Sequence, residues 1–391
     1  MDISEFDVIR PYNDDEVKQA CKELLADRQF TMLLKNFMPI LPKFMRVGVL
    51  RLALTGVNST LGFQKRFMHP VVNLVRSKCT KGVTFDHSQI EKGDARYTFV
   101  SNHRDIVLDS AFLSALLIEN GFDTTVEIAI GDNLLIYPWI ERLVKLNKAF
   151  TVRRSLTPRK MFESSILMSR YMRYAVNEKH ENIWIAQREG RAKDSDDRTQ
   201  VSVLKMLAMG GDGDTHVDCL KDLHICPLTI TYEYDPCDYL KAKEFQQKRD
   251  DPHYRKSKKD DLQNMRVGIF GKKGRVHYHC APCIDTWLDE LRDMPDNYFY
   301  EEVARRMDQA IHQGYQLFPC NYIALDLLEG HRDHADHYTP DDEATFTKYL
   351  AKQLAKILLP NKDEDFLRER MLTMYANPLR NKMKAEQDES I

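Results

Sequence analysis

No stretch of the sequence reaches the roughly 18 uninterrupted apolar residues that a membrane-spanning helix needs. Glycine and proline are scarce, 16 and 15 in 391 residues, which excludes collagen-like and low-complexity classes. The eight cysteines (Cys21, Cys79, Cys219, Cys226, Cys237, Cys280, Cys283 and Cys320) are too scattered for a disulfide framework. The first residues, MDISEFDVIRPYNDDE, lack the basic and apolar regions of an export signal. Together these absences predict a reducing, cytoplasmic setting. An excess of positive charge is also missing. Lys plus Arg number 57 against 59 Asp plus Glu, a net charge of -2, which disfavours a globally basic nucleic-acid binder. With 43% hydrophobic and 30% charged residues, the chain has the profile of a globular protein able to bury a sizeable core.

The sharpest local absence is of acids. Residues 28–85 contain no Asp or Glu, yet carry Arg28, Lys35, Lys43, Arg46, Arg51, Lys65, Arg66, Arg76, Lys78 and Lys81. Apolar residues stand between them, among them Met32, Met38, Ile40, Leu41, Met45, Val49 and Leu52. A helical segment that is apolar and basic suits an anionic membrane surface. The alternative is a helical cap whose Lys and Arg are simply solvated.

Residues 96–285 alternate between strand and helix patterns. Strands are expected at 96–101 (RYTFVS), 125–130 (TVEIAI), 148–152 (KAFTV), 183–186 (IWIA), 224–233 (HICPLTITYE) and 275–280, with helices at 110–118 and 158–178. This pattern predicts an α/β fold, a largely parallel mixed sheet flanked by helices. The charged stretch 235–273, with RKSKKDD at its centre, reads as a surface insertion or loop. Residues 286–379 read as helical, with a helix starting at Thr339-Pro340-Asp341-Asp342-Glu343, and the last dozen residues should fray. Three parts follow: a helical N-terminal segment (1–85), an α/β domain (86–285) and a helical C-terminal extension (286–391).

Chemistry concentrates at three expected strand ends. The first delivers Asn102-His103-Arg104-Asp105, with Asp109 beyond. Asp105 and Asp109 are four apart on one helical face, and either could hold one imidazole nitrogen of His103 while the other acts as a base. The second delivers Arg153 and Arg154, and the third Arg188-Glu189-Gly190-Arg191. In a parallel sheet these ends share one edge, where ligands bind. A base beside guanidinium groups suits a hydroxyl on a phosphate-bearing molecule. His-Arg-Asp is not a kinase catalytic loop here, because Ser110 stands where Asn is required and no Gly-rich phosphate loop precedes it.

These blocks resemble, in order and spacing, the glycerolipid acyltransferases, which include the glycerol-3-phosphate and lysophosphatidate acyltransferases. Asn102-His103 matches their His-x4-Asp block, Phe150 to Arg153 their Phe-x-x-Arg strand, Glu189-Gly190-Arg191 their Glu-Gly-x-Arg loop, and Cys226-Pro227 onwards their last strand. Five residues rather than four separate His103 from Asp109, and Arg191 follows Gly190 directly. Asp109 is preferred over Asp105 as the partner, because Ser-Ala-Phe-Leu continues like the family helix. The resemblance implies transfer of a fatty acyl group from acyl-ACP or acyl-CoA to a glycerolipid-precursor hydroxyl, on the cytoplasmic face of a membrane. It assigns catalysis to His103 and an Asp, and substrate binding to Asn102, Arg153, Arg154, Glu189, Gly190 and Arg191. Backbone N–H groups at the Gly190 loop or the helix start would stabilise an oxyanion. No cofactor, metal or nucleic acid is implied. A non-phosphorylated acceptor, or a silent membrane-binding homologue, remains compatible with the same blocks. His277 and His279 beside Cys280 and Cys283, and the His331, His334, His337 series, lack the spacing of a zinc site.

Overall fold

The computed structural model describes residues 3–37, 43–154 and 156–387, with the side chains of 33–37, 43, 44 and 258 left aside. Within these bounds the chain forms a seven-stranded sheet in the order β1-β7-β6-β2-β5-β3-β4. The strands are β1 (Thr80–Asp86), β2 (Thr98–Ser101), β3 (Val126–Gly131), β4 (Ala149–Val152), β5 (Asn182–Ala186), β6 (Ile225–Tyr232) and β7 (Gly274–Cys280). Pairing is parallel throughout except between β6 and β7, so the sheet is the largely parallel mixed one expected. β2 lies at its centre, between β5 and β6.

Alternation along the central strands explains how both faces fill. Val100, Ile183, Ile185 and Ile225 point to one face, where they meet Phe299, Val303 and Met307 of the helix Asp296–Gln313. Phe99, Trp184, Cys226 and Leu228 point to the other, against Phe112, Leu113 and Leu116 of the helix Leu108–Glu119. All four residues of β2 are buried, as expected of a parallel strand covered on both faces. Each fully buried Phe or Ile here contributes about 1.5–3 kcal/mol of transfer free energy.

Three stretches depart from the sequence reading. Thr80–Asp86, at the end of the segment expected to be helical, is the edge strand β1, because its backbone finds β7 as a partner. The stretch 235–273 is not a loop. It forms the helices Asp238–Asp250 and Lys258–Phe270, the second opened by a capping box in which Ser257 and Asp260 satisfy each other's backbone N–H. Of the last dozen residues, 380–387 do not fray, since the helix Glu364–Gln387 runs through them and buries Ala385, while 388–391 lie outside the described residues. The helix at Pro340–Ala355 starts as expected, with Thr339 as its N-cap.

The N-terminal helices Arg28–Phe37 and Lys43–Leu54 lie beside a separate apolar cluster that contains Leu50, Leu54, Phe63 and Phe67. Residues 38–42, including Met38, Ile40 and Leu41, and the side chains of Lys35 and Lys43 lie outside what the structure describes.

Candidate active site

The C-terminal edge of the sheet gathers the chemistry. His103 follows β2 by two residues, and its Nδ1 meets Asp109 Oδ2 at 2.8 Å. The same carboxylate oxygen accepts the N–H of Arg104 at 2.7 Å and of Asp105 at 3.0 Å. Its other oxygen accepts the Tyr232 hydroxyl at 2.9 Å. Burial, and then the charge of Asp109, push the Tyr232 phenol well above its ordinary pKa, so it remains a donor. Asp109 is fully buried and acceptor-only, so His103 carries its proton on Nδ1 and presents Nε2 as the basic nitrogen. Trp184 lies edge-on to the imidazole, with ring centroids 5.6 Å apart, and its own N–H donates to Ser101 Oγ.

The spacing of five residues is thus absorbed by an irregular turn before the helix Leu108–Glu119, and Asp109 is the histidine's partner. Asp105 is not. Its Oδ1 accepts the N–H groups of Val107 and Leu108, both at 2.9 Å, and so caps the start of that helix. Burial pushes its pKa up. Gly268 of the helix Lys258–Phe270 packs against it so closely that a Cβ there would lie 2.3 Å from Asp105 Oδ2. Of the amides around the helix start, those of Arg104, Asp105, Val107 and Leu108 are already engaged, by Asp109 and Asp105.

Asn102 also departs from expectation. It is fully buried and does not border the cavities that His103 faces. Its amide bonds both to and from the backbone of Ile230, at 2.9 and 2.8 Å, and so welds the end of β2 to β6. Behind it Arg104 pairs with Asp197 at 2.7 Å, and Asp197 also accepts the Tyr315 hydroxyl at 2.7 Å. This buried pair ties the histidine turn to the loop after β5 and to the C-terminal helices. Sequence reasoning gave Arg104 and Asp197 no role, because their partners come from distant parts of the chain.

Two cavities meet at His103. One, of about 390 Å³, is mostly apolar and is lined by Ile106, Ile128, Ile130, Val144 and Met168, with Met68 and Ile140 also in its wall. The other, of about 500 Å³, is polar and mainly basic, and lies under the two helices of 235–273. Arg154 and Arg188 border both, as do Glu189 and Gly190. Arg154 stands 3.4 Å from Glu189. Gly190 sits at a φ of +72°, in the left-handed region where a side chain is strained, and it turns the loop past His103. Arg153 is exposed at the rim of the apolar cavity, whereas Arg191 borders the basic one. Arg153 and Arg191 thus border different cavities, which meet at His103. Arg188 is the binding candidate that the sequence reading quoted within its motif without assigning.

The rejected clusters have ordinary partners. His277 bonds to Thr84 at 2.7 Å, His279 to Asp86 at 2.9 Å and His334 to Asp326 at 2.8 Å.

No family model and no curated protein matches the chain. Among solved structures, a similarity is found to the 1-acyl-sn-glycerophosphate (LPA) acyltransferase PlsC from Thermotoga maritima. It covers 75% of this chain and 94% of that chain, at 12% sequence identity and a TM-score of 0.33. So distant a likeness carries no function, which must be argued from the side chains.

Proposed function

We propose that the protein transfers a fatty acyl group from a thioester to a hydroxyl of a phosphate-bearing glycerolipid precursor, glycerol-3-phosphate or its 1-acyl derivative. The observation that carries this reading is the His103–Asp109 pair standing where an apolar cavity meets a basic one. The acyl chain occupies the apolar cavity with its carbonyl at His103. Arg153, Arg154 and Arg188 hold the acceptor's phosphate through charge-assisted hydrogen bonds. His103 Nε2 takes the hydroxyl proton as the oxygen attacks the carbonyl carbon, and Asp109 stabilises the imidazolium that forms. The tetrahedral intermediate then expels the thiolate, breaking the C–S bond, and the imidazolium returns the proton to sulfur. No serine or cysteine nucleophile takes part.

The N-terminal helices support a membrane setting for this reaction. The helix Lys43–Leu54 buries Leu50 and Leu54, yet leaves Met45, Val49 and Leu52 exposed on one face, Leu52 at 75%. Arg46 and Arg51 belong to the same helix, and no acid occurs from 28 to 85. Among the described residues no helix is long and apolar enough to cross a membrane. We read this face as resting on an anionic lipid surface, from the cytoplasmic side.

The test is a lipid-product assay with purified protein, acyl-CoA and acyl-ACP donors, and acceptors with and without phosphate. Phosphorylated acceptors should be acylated, and His103→Ala should lower turnover by at least about 10²-fold, the lower end for a general base. Undiminished turnover in the folded His103→Ala protein, or equal rates with and without the acceptor phosphate, would refute the reading.

A further inference from the structure

The basic cavity has a wall that the acceptor's phosphate does not need. Beyond Arg188 it reaches Lys193, Lys248 and Lys256. All three gather around one carboxylate, Glu244. Lys193 pairs with it directly, while Lys248 stands at 3.1 Å and Lys256 at 3.8 Å. Lys256 also reaches Asp261 at 3.2 Å. Arg191, in the same wall, gives one amine to Asn264 at 2.9 Å, while its buried Nη1 has no hydrogen-bond partner among the described residues. Burial, followed by the like charges of Lys248, Lys256 and Arg191, pushes the Lys193 amine down to about 7. Four cations, Arg191, Lys193, Lys248 and Lys256, thus share this wall with three carboxylates, Glu244, Asp261 and Asp194.

We propose that this wall binds the phosphate of the donor's pantetheine arm, at a place distinct from the acceptor's phosphate. The proposal rests on the acyl-transfer reading. A thioester joins the acyl chain on one side of its carbonyl to the carrier, through sulfur, on the other. With the chain in the apolar cavity and the carbonyl at His103, the arm continues into the second space that meets His103, the basic cavity. A phosphate terminating the arm then lies against Arg191, Lys193, Lys248 and Lys256. That phosphate is common to coenzyme A and to the prosthetic arm of an acyl carrier protein. The helices of 235–273 supply most of this wall, which assigns the insertion a role in donor recognition.

The experiment compares the parent protein with Lys248→Gln/Lys256→Gln, and with Lys256→Gln alone should the double variant melt early. Calorimetric titrations use 4′-phosphopantetheine, pantetheine, coenzyme A and a phosphopantetheinylated carrier protein. The parent should bind phosphopantetheine clearly more tightly than pantetheine. The double variant should lose at least about tenfold in affinity for phosphopantetheine, the scale of one charge-assisted bond, with pantetheine unchanged. The coenzyme A and carrier-protein arms then show which source the site serves. In turnover, the donor KM should rise about tenfold with the acceptor KM within about twofold, while Arg153→Ala should do the reverse. Equal binding of phosphopantetheine and pantetheine to the parent would overturn the proposal, as would a double variant that raises the acceptor KM instead. Lysine-dependent phosphopantetheine binding in a protein that transfers no acyl group would uphold the phosphate site and sink the acyl-transfer reading alone.

Discussion

Replacing Asp109 by Asn separates charge from shape at the centre of the site. One oxygen of Asp109 meets three donors, the His103 Nδ1–H and the N–H groups of Arg104 and Asp105, and the other meets the Tyr232 hydroxyl. An amide can keep its oxygen towards the three donors and turn its NH2 to Tyr232, whose hydroxyl rotates to accept. Geometry is thus retained and the negative charge is lost. With charge centres about 4 Å apart and an effective dielectric near 20, the carboxylate stabilises an imidazolium by about 4 kcal/mol. A neutral hydrogen bond of about 1 kcal/mol remains. The difference corresponds to a fall in kcat of about 10²-fold, within the range expected of general-base catalysis. Asp105→Asn keeps an oxygen for the N–H groups of Val107 and Leu108, and Asn caps a helix about as well as Asp. It should leave stability little changed and kcat within a few-fold. Steady-state turnover and thermal melting on both variants decide the matter. If Asp109→Asn kept more than a tenth of the parent kcat, or if folded Asp105→Asn lost as much turnover, the assignment of Asp109 as the histidine's partner would be wrong.

Two further outcomes are expected. Changing Met45, Val49 and Leu52 together to Ser should weaken co-sedimentation with anionic vesicles without lowering the melting temperature, because these side chains already face solvent; binding equal to the parent would remove this helix from the membrane contact. Asp238, buried at the start of the helix Asp238–Asp250 and hydrogen-bonded by Tyr349, Tyr375 and Gln353, is pushed by burial up to about 7 from 3.8. Between about pH 4 and pH 7 the folded protein therefore holds a proton that the unfolded chain has lost. The stabilising contribution of this group is full below that window, declines through it and is gone above it. The melting temperature of Asp238→Asn relative to the parent should rise from pH 4 to pH 7 and then level off, and a difference independent of pH would refute the assignment.

Much of the sheet is legible in the sequence, because a buried strand must be apolar and its period is fixed by backbone geometry. TFVS, NIWIA and ICPLTITY declare themselves in this way, as do the turns that deliver His103, Arg154 and Arg191 to one edge. Local chemistry also marks the helix cap at Thr339. What lies beyond reach is whatever depends on partners far along the chain. The choice between Asp105 and Asp109 turns on how the backbone folds between His103 and the helix, a matter of a few φ and ψ angles that side-chain pattern does not specify. Asn102 resembles a site residue in sequence and proves to be a brace, since Ile230, 128 positions away, supplies its partners. The charged stretch 235–273 reads as solvated because Lys and Glu pair as readily over a cavity as in water. Only the tertiary packing, with Gly268 against Asp105 and Asn264 against Arg191, decides that this stretch roofs the site. Periodicity is a local property carried by neighbouring residues, whereas a cavity is made by elements that meet only after the chain has folded.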